Sequence, residues 1–169
     1  GRGGEDSRQD PVTPGKNFLL FGAAALAALM LGQALLRSPE QVIRRKIDRL
    51  MLTVSLKSDD GNLTKAAKIN RFGDFFTRDV KVNLGDIRWT SSVFNGRAEL
   101  RDAFKNTVMR LKFADVQASD ITIEVAKNSL SARVQLLVEA AIDIEERPLR
   151  WNLQLNYEKT EEGWRIRRV

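Results

Sequence analysis

From residue 121 onward the chain is written in a period of two. Ile121, Ile123 and Val125 alternate with polar residues, Lys127-Asn128-Ser129 supplies a turn, and Leu130, Ala132, Val134, Leu136, Val138, Ala140, Ile142 and Ile144 then take every even position. Successive side chains of a strand point to opposite faces, so this even series predicts one long strand with a single apolar face. Beyond Glu145-Glu146-Arg147-Pro148 the chain returns through Leu149, Trp151, Leu153, Leu155 and Tyr157, with Arg150, Asn152, Gln154, Asn156 and Glu158 on the opposite face. Glu161-Glu162-Gly163 then turns it into Trp164 and Ile166. Such strands exceed the usual ~5–6 residues. Long antiparallel strands twist, so the sheet is expected to curve into a half-open cone that encloses a pocket.

Upstream, the period becomes that of a helix. Ile43, Ile47, Leu50, Met51 and Val54 share one face, opposite Arg44, Arg45, Asp48 and Arg49. Ser38-Pro39-Glu40-Gln41 opens this helix with a capping Ser, a Pro suited to the first position and a Gln three residues after the Ser. Asp59-Asp60-Gly61-Asn62 marks a turn, after which Leu63, Ala66, Ala67, Ile69, Phe72, Phe75 and Phe76 predict a second helix ending near Phe76. Residues 80–83 and 87–90, around Leu84-Gly85-Asp86, predict two short strands joined by a tight turn. Gly96 opens a third helix with Leu100, Ala103, Phe104, Val108 and Leu111 on one face. Helices that precede a meander and cover its apolar face make an α+β domain.

Ahead of all this, residues 17–36 carry no charge, and Gln33 is the clearly polar side chain inside the run. About 20 residues rising 1.5 Å each match the ~30 Å hydrocarbon core of a bilayer. The run is also longer than the ~7–15-residue apolar core of a cleaved signal peptide. The expectation is a flexible tail over 1–16, a single transmembrane helix over 17–37 and the folded domain over 38–169. Lys16, Arg37, Arg44 and Arg45 would flank the span, and the larger number of cations behind it leans the domain toward the cytoplasm or its equivalent.

Composition narrows the chemistry. The 28 Lys and Arg exceed the 22 Asp and Glu by six, and a surplus of this kind favours partners with negative charge. Anionic lipid beside the apolar run fits this best, and no compact basic run predicts nucleic acid. The chain has no Cys and no His, which removes thiol and Ser-His-Asp nucleophiles and imidazole zinc sites. No phosphate-cradling Gly loop and no metal-ligand cluster is written in the chain, so neither a cofactor nor a metal is expected. Tyr157 is the one Tyr and lies on the apolar strand face, while Asp74, Asp86, Asp115 and Asp143 have no spacing that singles out a buried pair. No catalytic residue is assigned.

Four phrases follow one another in a telling order. They are Ser38-Pro39-Glu40-Gln41-Val42-Ile43, Phe72-Gly73-Asp74-Phe75-Phe76, Phe94-Asn95-Gly96-Arg97-Ala98-Glu99-Leu100 and Gly163-Trp164-Arg165-Ile166. In that order, the stretch over 38–169 resembles the nuclear transport factor 2-like superfamily, which includes SnoaL-like and VirB8-like domains. The resemblance implies three helices packed on a curved antiparallel sheet. It does not imply one activity, because the superfamily hosts enzymes, transport adaptors and secretion-channel subunits.

The layout of tail, span and domain is similar to that of the VirB8-like channel subunits. It implies a membrane-anchored, non-catalytic interaction module that contacts membrane lipids, other subunits of a membrane complex or a second copy of itself. Leu137 and Ala141 are apolar residues on the polar face of the long strand, and Arg150, Gln154, Arg165 and Arg167 follow on the final hairpin, so these six form the expected interaction surface. The alternative is a cone that binds a small apolar molecule, or acts on it as an isomerase or cyclase. Its pocket would be lined by Phe72, Phe76, Trp89, Phe104, Leu136, Val138, Trp151 and Leu153.

Overall fold

The computed structural model describes residues 38–83 and 93–169. The predicted tail and span, with Lys16 and Arg37, lie outside the described residues, as do Trp89 and the strand expected over 87–90. Among the described residues no helix is long and apolar enough to cross a membrane.

Helix α1 runs Pro39–Val54. Its N-cap is Ser38, whose hydroxyl accepts the Gln41 N–H at 3.4 Å, which satisfies one of the amides a helix start leaves open. Ile43, Ile47 and Leu50 are buried on one face as the spacing requires. At the other end Ser55 joins two elements, its hydroxyl donating to the Met51 carbonyl at 2.9 Å and accepting the Val116 N–H at 3.0 Å.

Helix α2 spans Asn62–Gly73 and stops three residues short of the predicted end. Phe76 instead opens strand β1, Phe76–Asn83. The Phe75 carbonyl accepts the Ile166 N–H at 2.8 Å, so this backbone is drawn into the sheet rather than into another helical turn. Tertiary pairing overrides the apolar spacing. Strand β2, Val93–Asn95, pairs antiparallel with β1 through Val82 and Phe94. Gly96 follows at φ +95°, ψ 151°, a region essentially closed to side-chain-bearing residues. Its N–H donates to Val80 at 2.7 Å, and α3, Arg97–Arg110, begins there.

Strands β3 (Ala114–Val125), β4 (Ser131–Ile142), β5 (Leu149–Thr160) and β6 (Gly163–Arg168) complete one six-stranded sheet in the order β2-β1-β6-β5-β4-β3. β3 starts seven residues before the alternation at Ile121 becomes visible. Ala114, Val116 and Ala118 occupy even positions, whereas Ile121, Ile123 and Val125 occupy odd ones. A bulge reconciles them: the pairing moves from Ser119 opposite Leu137 to Thr122 opposite Gln135, with Asp120 at φ +51°. One extra residue restores the apolar face and bends the strand.

Every neighbouring pair is antiparallel except β1 and β6, which run parallel. The helices and the inner sheet face share one core, with Ile43, Ile47, Val80, Val134 and Ile166 fully buried. A second cluster of Leu56, Ile69, Val108, Leu111 and Ala114 closes the far end.

Candidate functional site

The interior of the cone gathers most of the predicted pocket residues. β4 and β5 place Leu136 opposite Leu153 and Val138 opposite Trp151. Helix α2 sends Phe72 against Phe76 of β1, with ring centroids 4.9 Å apart, and against Phe104 of α3, stacked at 4.1 Å. Phe72, Phe76, Leu136 and Val138 are buried, while Phe104, Trp151 and Leu153 are half-buried against the same cluster. The seven therefore belong to one apolar core cluster.

One member of this core differs chemically from the rest. Tyr157 is only 2% exposed, yet its hydroxyl has no hydrogen-bond partner among the described residues. Burial pushes the ionisation of the phenol upward, so at neutral pH it is a proton-bearing donor. Tyr157 lines a cleft of about 370 Å³ with Glu124, Val125, Ala126, Ser131, Ala132, Arg133 and Asn156, where β3, β4 and β5 come together. By its place in the alternation this residue reads as plain core. The available signal was a hydroxyl at a position where the alternation asks for nothing polar.

The opposite sheet face is polar and basic. Asp79, Lys81, Arg133, Gln154, Asn156, Arg167 and Arg168 line a cleft of about 420 Å³. Arg167 pairs with Glu158 at 3.0 Å and lies 3.9 Å from Asp79. A register shift brings Asn156 opposite Arg168 but Tyr157 opposite Ile166, so the consecutive residues Arg167 and Arg168 are both exposed. Leu137 sits half-buried in a neighbouring cleft of about 350 Å³ with Gln135, Asn152 and Gln154, Ala141 is half-buried opposite Asp115, and Arg150 is held by Glu139 at 2.7 Å.

Arg165 does not join this group. Its side chain is 12% exposed and is folded onto Glu162 at 2.7 Å and the Asp74 carbonyl at 2.5 Å. Arg44 and Arg45 are exposed on α1, and Arg44 donates to the Ile121 carbonyl at 3.3 Å. Among the described residues no three acidic side chains converge as a metal site would require.

Three helices on one face of a curved, mainly antiparallel sheet define a cone of the nuclear transport factor 2-like kind. The chain belongs to the SnoaL-like domain family, whose model matches residues 44–169. Similar solved structures include a nuclear transport factor 2-like protein of unknown function from Pseudomonas putida KT2440, 14% identical with a TM-score of 0.60 over 76% of this chain and 82% of the other. A candidate scytalone dehydratase from Novosphingobium aromaticivorans is 18% identical with a TM-score of 0.54, covering 77% and 83%. A candidate calcium/calmodulin-dependent protein kinase II association domain from Xanthomonas campestris is 11% identical with a TM-score of 0.58, covering 76% and 82%. Identities this low speak for the fold alone. No curated protein sequence matches the chain.

Proposed function

We propose that this SnoaL-like domain binds a small, mainly apolar molecule that offers one hydrogen-bond acceptor, with the Tyr157 hydroxyl as the anchoring donor. The observation that carries this reading is the buried, unpartnered hydroxyl itself. Leaving such a group unsatisfied costs about 1–3 kcal/mol, and in native proteins the great majority of buried polar groups find a partner. A Phe would pack equally well without that cost. An acceptor on a ligand would repair the deficit once the shell over the buried hydroxyl opens from the adjoining cleft, whose volume of about 370 Å³ lies within the ~300–1,000 Å³ range of small-molecule sites. The scytalone dehydratase-like neighbour supports a small-molecule reading for a cone of this shape.

Proton-transfer chemistry has less support. The sequence lacks His and Cys, and among the described residues the buried polar side chains besides Tyr157 are Thr53 and Thr77. Neither is a general base at neutral pH. We therefore assign binding and position Tyr157 as its polar contact.

The test is a thermal-shift and calorimetric screen of lipophilic ketones and esters against the wild type and Tyr157→Phe. The variant is expected to be as stable as the wild type or up to ~2 kcal/mol more stable, because the unsatisfied group is gone. Its affinity for any wild-type ligand should fall about tenfold, the equivalent of one hydrogen bond near 1.4 kcal/mol. Unchanged affinity in Tyr157→Phe, or a screen with no binder at all, would overturn the assignment.

A second reading is favoured by a separate observation, the basic cleft on the outer sheet face. With the apolar run over 17–36, it supports a membrane-tethered subunit that docks onto an acidic partner through Arg133, Arg150, Arg167 and Arg168. Gentle detergent extraction followed by mass spectrometry is then expected to return a stoichiometric complex. A lone monomer or homodimer would end this reading.

A further inference from the structure

Between α1 and α2, away from the Tyr157 cleft, lies a cleft of about 500 Å³ lined by Lys46, Arg49, Leu52, Thr53, Lys68, Arg71, Asp74 and Phe75. Lys46 and Arg49 are three residues apart on one helix, as are Lys68 and Arg71 on the other, so each pair sits on a single face. Four cations thus meet one carboxylate across a concave surface. Lys68 is already committed to Asp60 at 2.5 Å and to the Ser55 carbonyl at 2.7 Å. Lys46, Arg49 and Arg71 have no ion-pair partner among the described residues.

A ring of cations on one exposed helix is ordinarily just a solvated face, but this group lines a cleft between two helices. Lys46 is half-buried, and its charged form is disfavoured first by burial and then by Arg165 and Arg49, with Asp74 the opposing influence. Arg165 reaches this region from β6, its guanidinium tied to the Asp74 carbonyl. Three elements therefore bring like charges together: Lys46 is half-buried, Arg49 and Arg71 are exposed at the cleft wall, and Arg165 is already paired with Glu162, so an anion in the cleft would relieve the repulsion that Lys46 meets. Among the described residues the unpaired donors are two guanidinium groups, Arg49 and Arg71, and one ammonium, Lys46, and the Arg fork suits tetrahedral oxyanions in particular. Leu52, 72% exposed, and the half-buried Phe75 form an apolar rim beside the cations.

We propose that the α1–α2 cleft is a binding site for a phosphate group, held by Lys46, Arg49 and Arg71. The apolar rim suits an organic phosphate whose remainder is partly hydrocarbon. The same chemistry is offered by a soluble phosphomonoester and by a lipid headgroup, and the experiment separates the two.

The full chain in neutral detergent is titrated calorimetrically with inorganic phosphate, with glycerol phosphate, and with short-chain phosphatidate against the matching phosphatidylcholine, all at one ionic strength set with chloride. One saturable site is expected. Lys46→Gln and Arg71→Gln should each weaken it about tenfold, a typical loss for one charge-assisted contact. Lys105→Gln, an exposed change on α3, should leave it unchanged, and equal melting temperatures would show that all variants fold. Binding of inorganic and glycerol phosphate identifies a soluble ligand, whereas binding of phosphatidate alone identifies a headgroup, and either supports the site. Phosphate binding no tighter than that of chloride for every probe, or equal binding by the Lys46→Gln/Arg71→Gln double variant, would overturn it.

Discussion

Truncating Ile166 to Ala is expected to destabilise the domain by about 3–4 kcal/mol, within the ~2–5 kcal/mol range for deleting a buried aliphatic side chain. Ile166 is fully buried, sits beside Tyr157 on β5 and Phe76 on β1, and gives its N–H to the Phe75 carbonyl at 2.8 Å. It is the residue at which the helical half of the chain is joined to the meander. The side chain has core on every side, so the cavity left by truncation has little room to collapse. Urea unfolding followed by tryptophan fluorescence should show a lower midpoint with an unchanged slope. A loss below ~1 kcal/mol would mean that β6 is not packed as described.

Phe72→Ala should be comparably severe, at about 3–5 kcal/mol. Its ring lies between Phe76 and Phe104, at 4.9 and 4.1 Å, and so bridges α2, α3 and β1. Phe104→Ala is expected to lose less, because Phe104 is only half-buried. The two changes should not add. A double-mutant cycle is expected to return ~0.5–1.5 kcal/mol of coupling, the energy of the stacked pair beyond its burial. Strict additivity would indicate that the rings do not touch in solution.

How much of this was legible in the sequence depended on whether the information was local. The alternation through β4 and β5 and the capped start of α1 are short-range signals, and the structure follows them closely. The end of α2 was not legible, because Phe75 and Phe76 fit a helical face and are claimed by β6 instead. The first half of β3 was hidden by the bulge at Asp120, which shifts the parity and makes Ala114, Val116 and Ala118 look unrelated to Ile121. Periodicity also says nothing about which strands become neighbours, so the parallel pairing of β1 with β6 was invisible.

The site follows the same division. The apolar face of the sheet was readable from the alternation, with Trp89 lying outside the described residues. The position of Arg165 was not, since simple alternation places it beside Arg167 on open surface whereas Asp74 and Glu162 enclose it. The cluster of Lys46, Arg49 and Arg71 draws on two helices and is flanked by a side chain from the final strand. Only the folded backbone brings these charges together.

The parallel join between β1 and β6 also has a consequence for how the protein is made. Phe76 leaves the ribosome about 90 residues before its partner Ile166. At ~5–20 residues per second, one edge of β1 waits on the order of 5–20 s with only β2 beside it. During that interval the nascent chain presents an open, partly apolar strand edge, the kind of surface that recruits other strands. Synthesis that stalls within the β4–β5 region should therefore yield an aggregation-prone product, even though α1, α2 and α3 have already emerged.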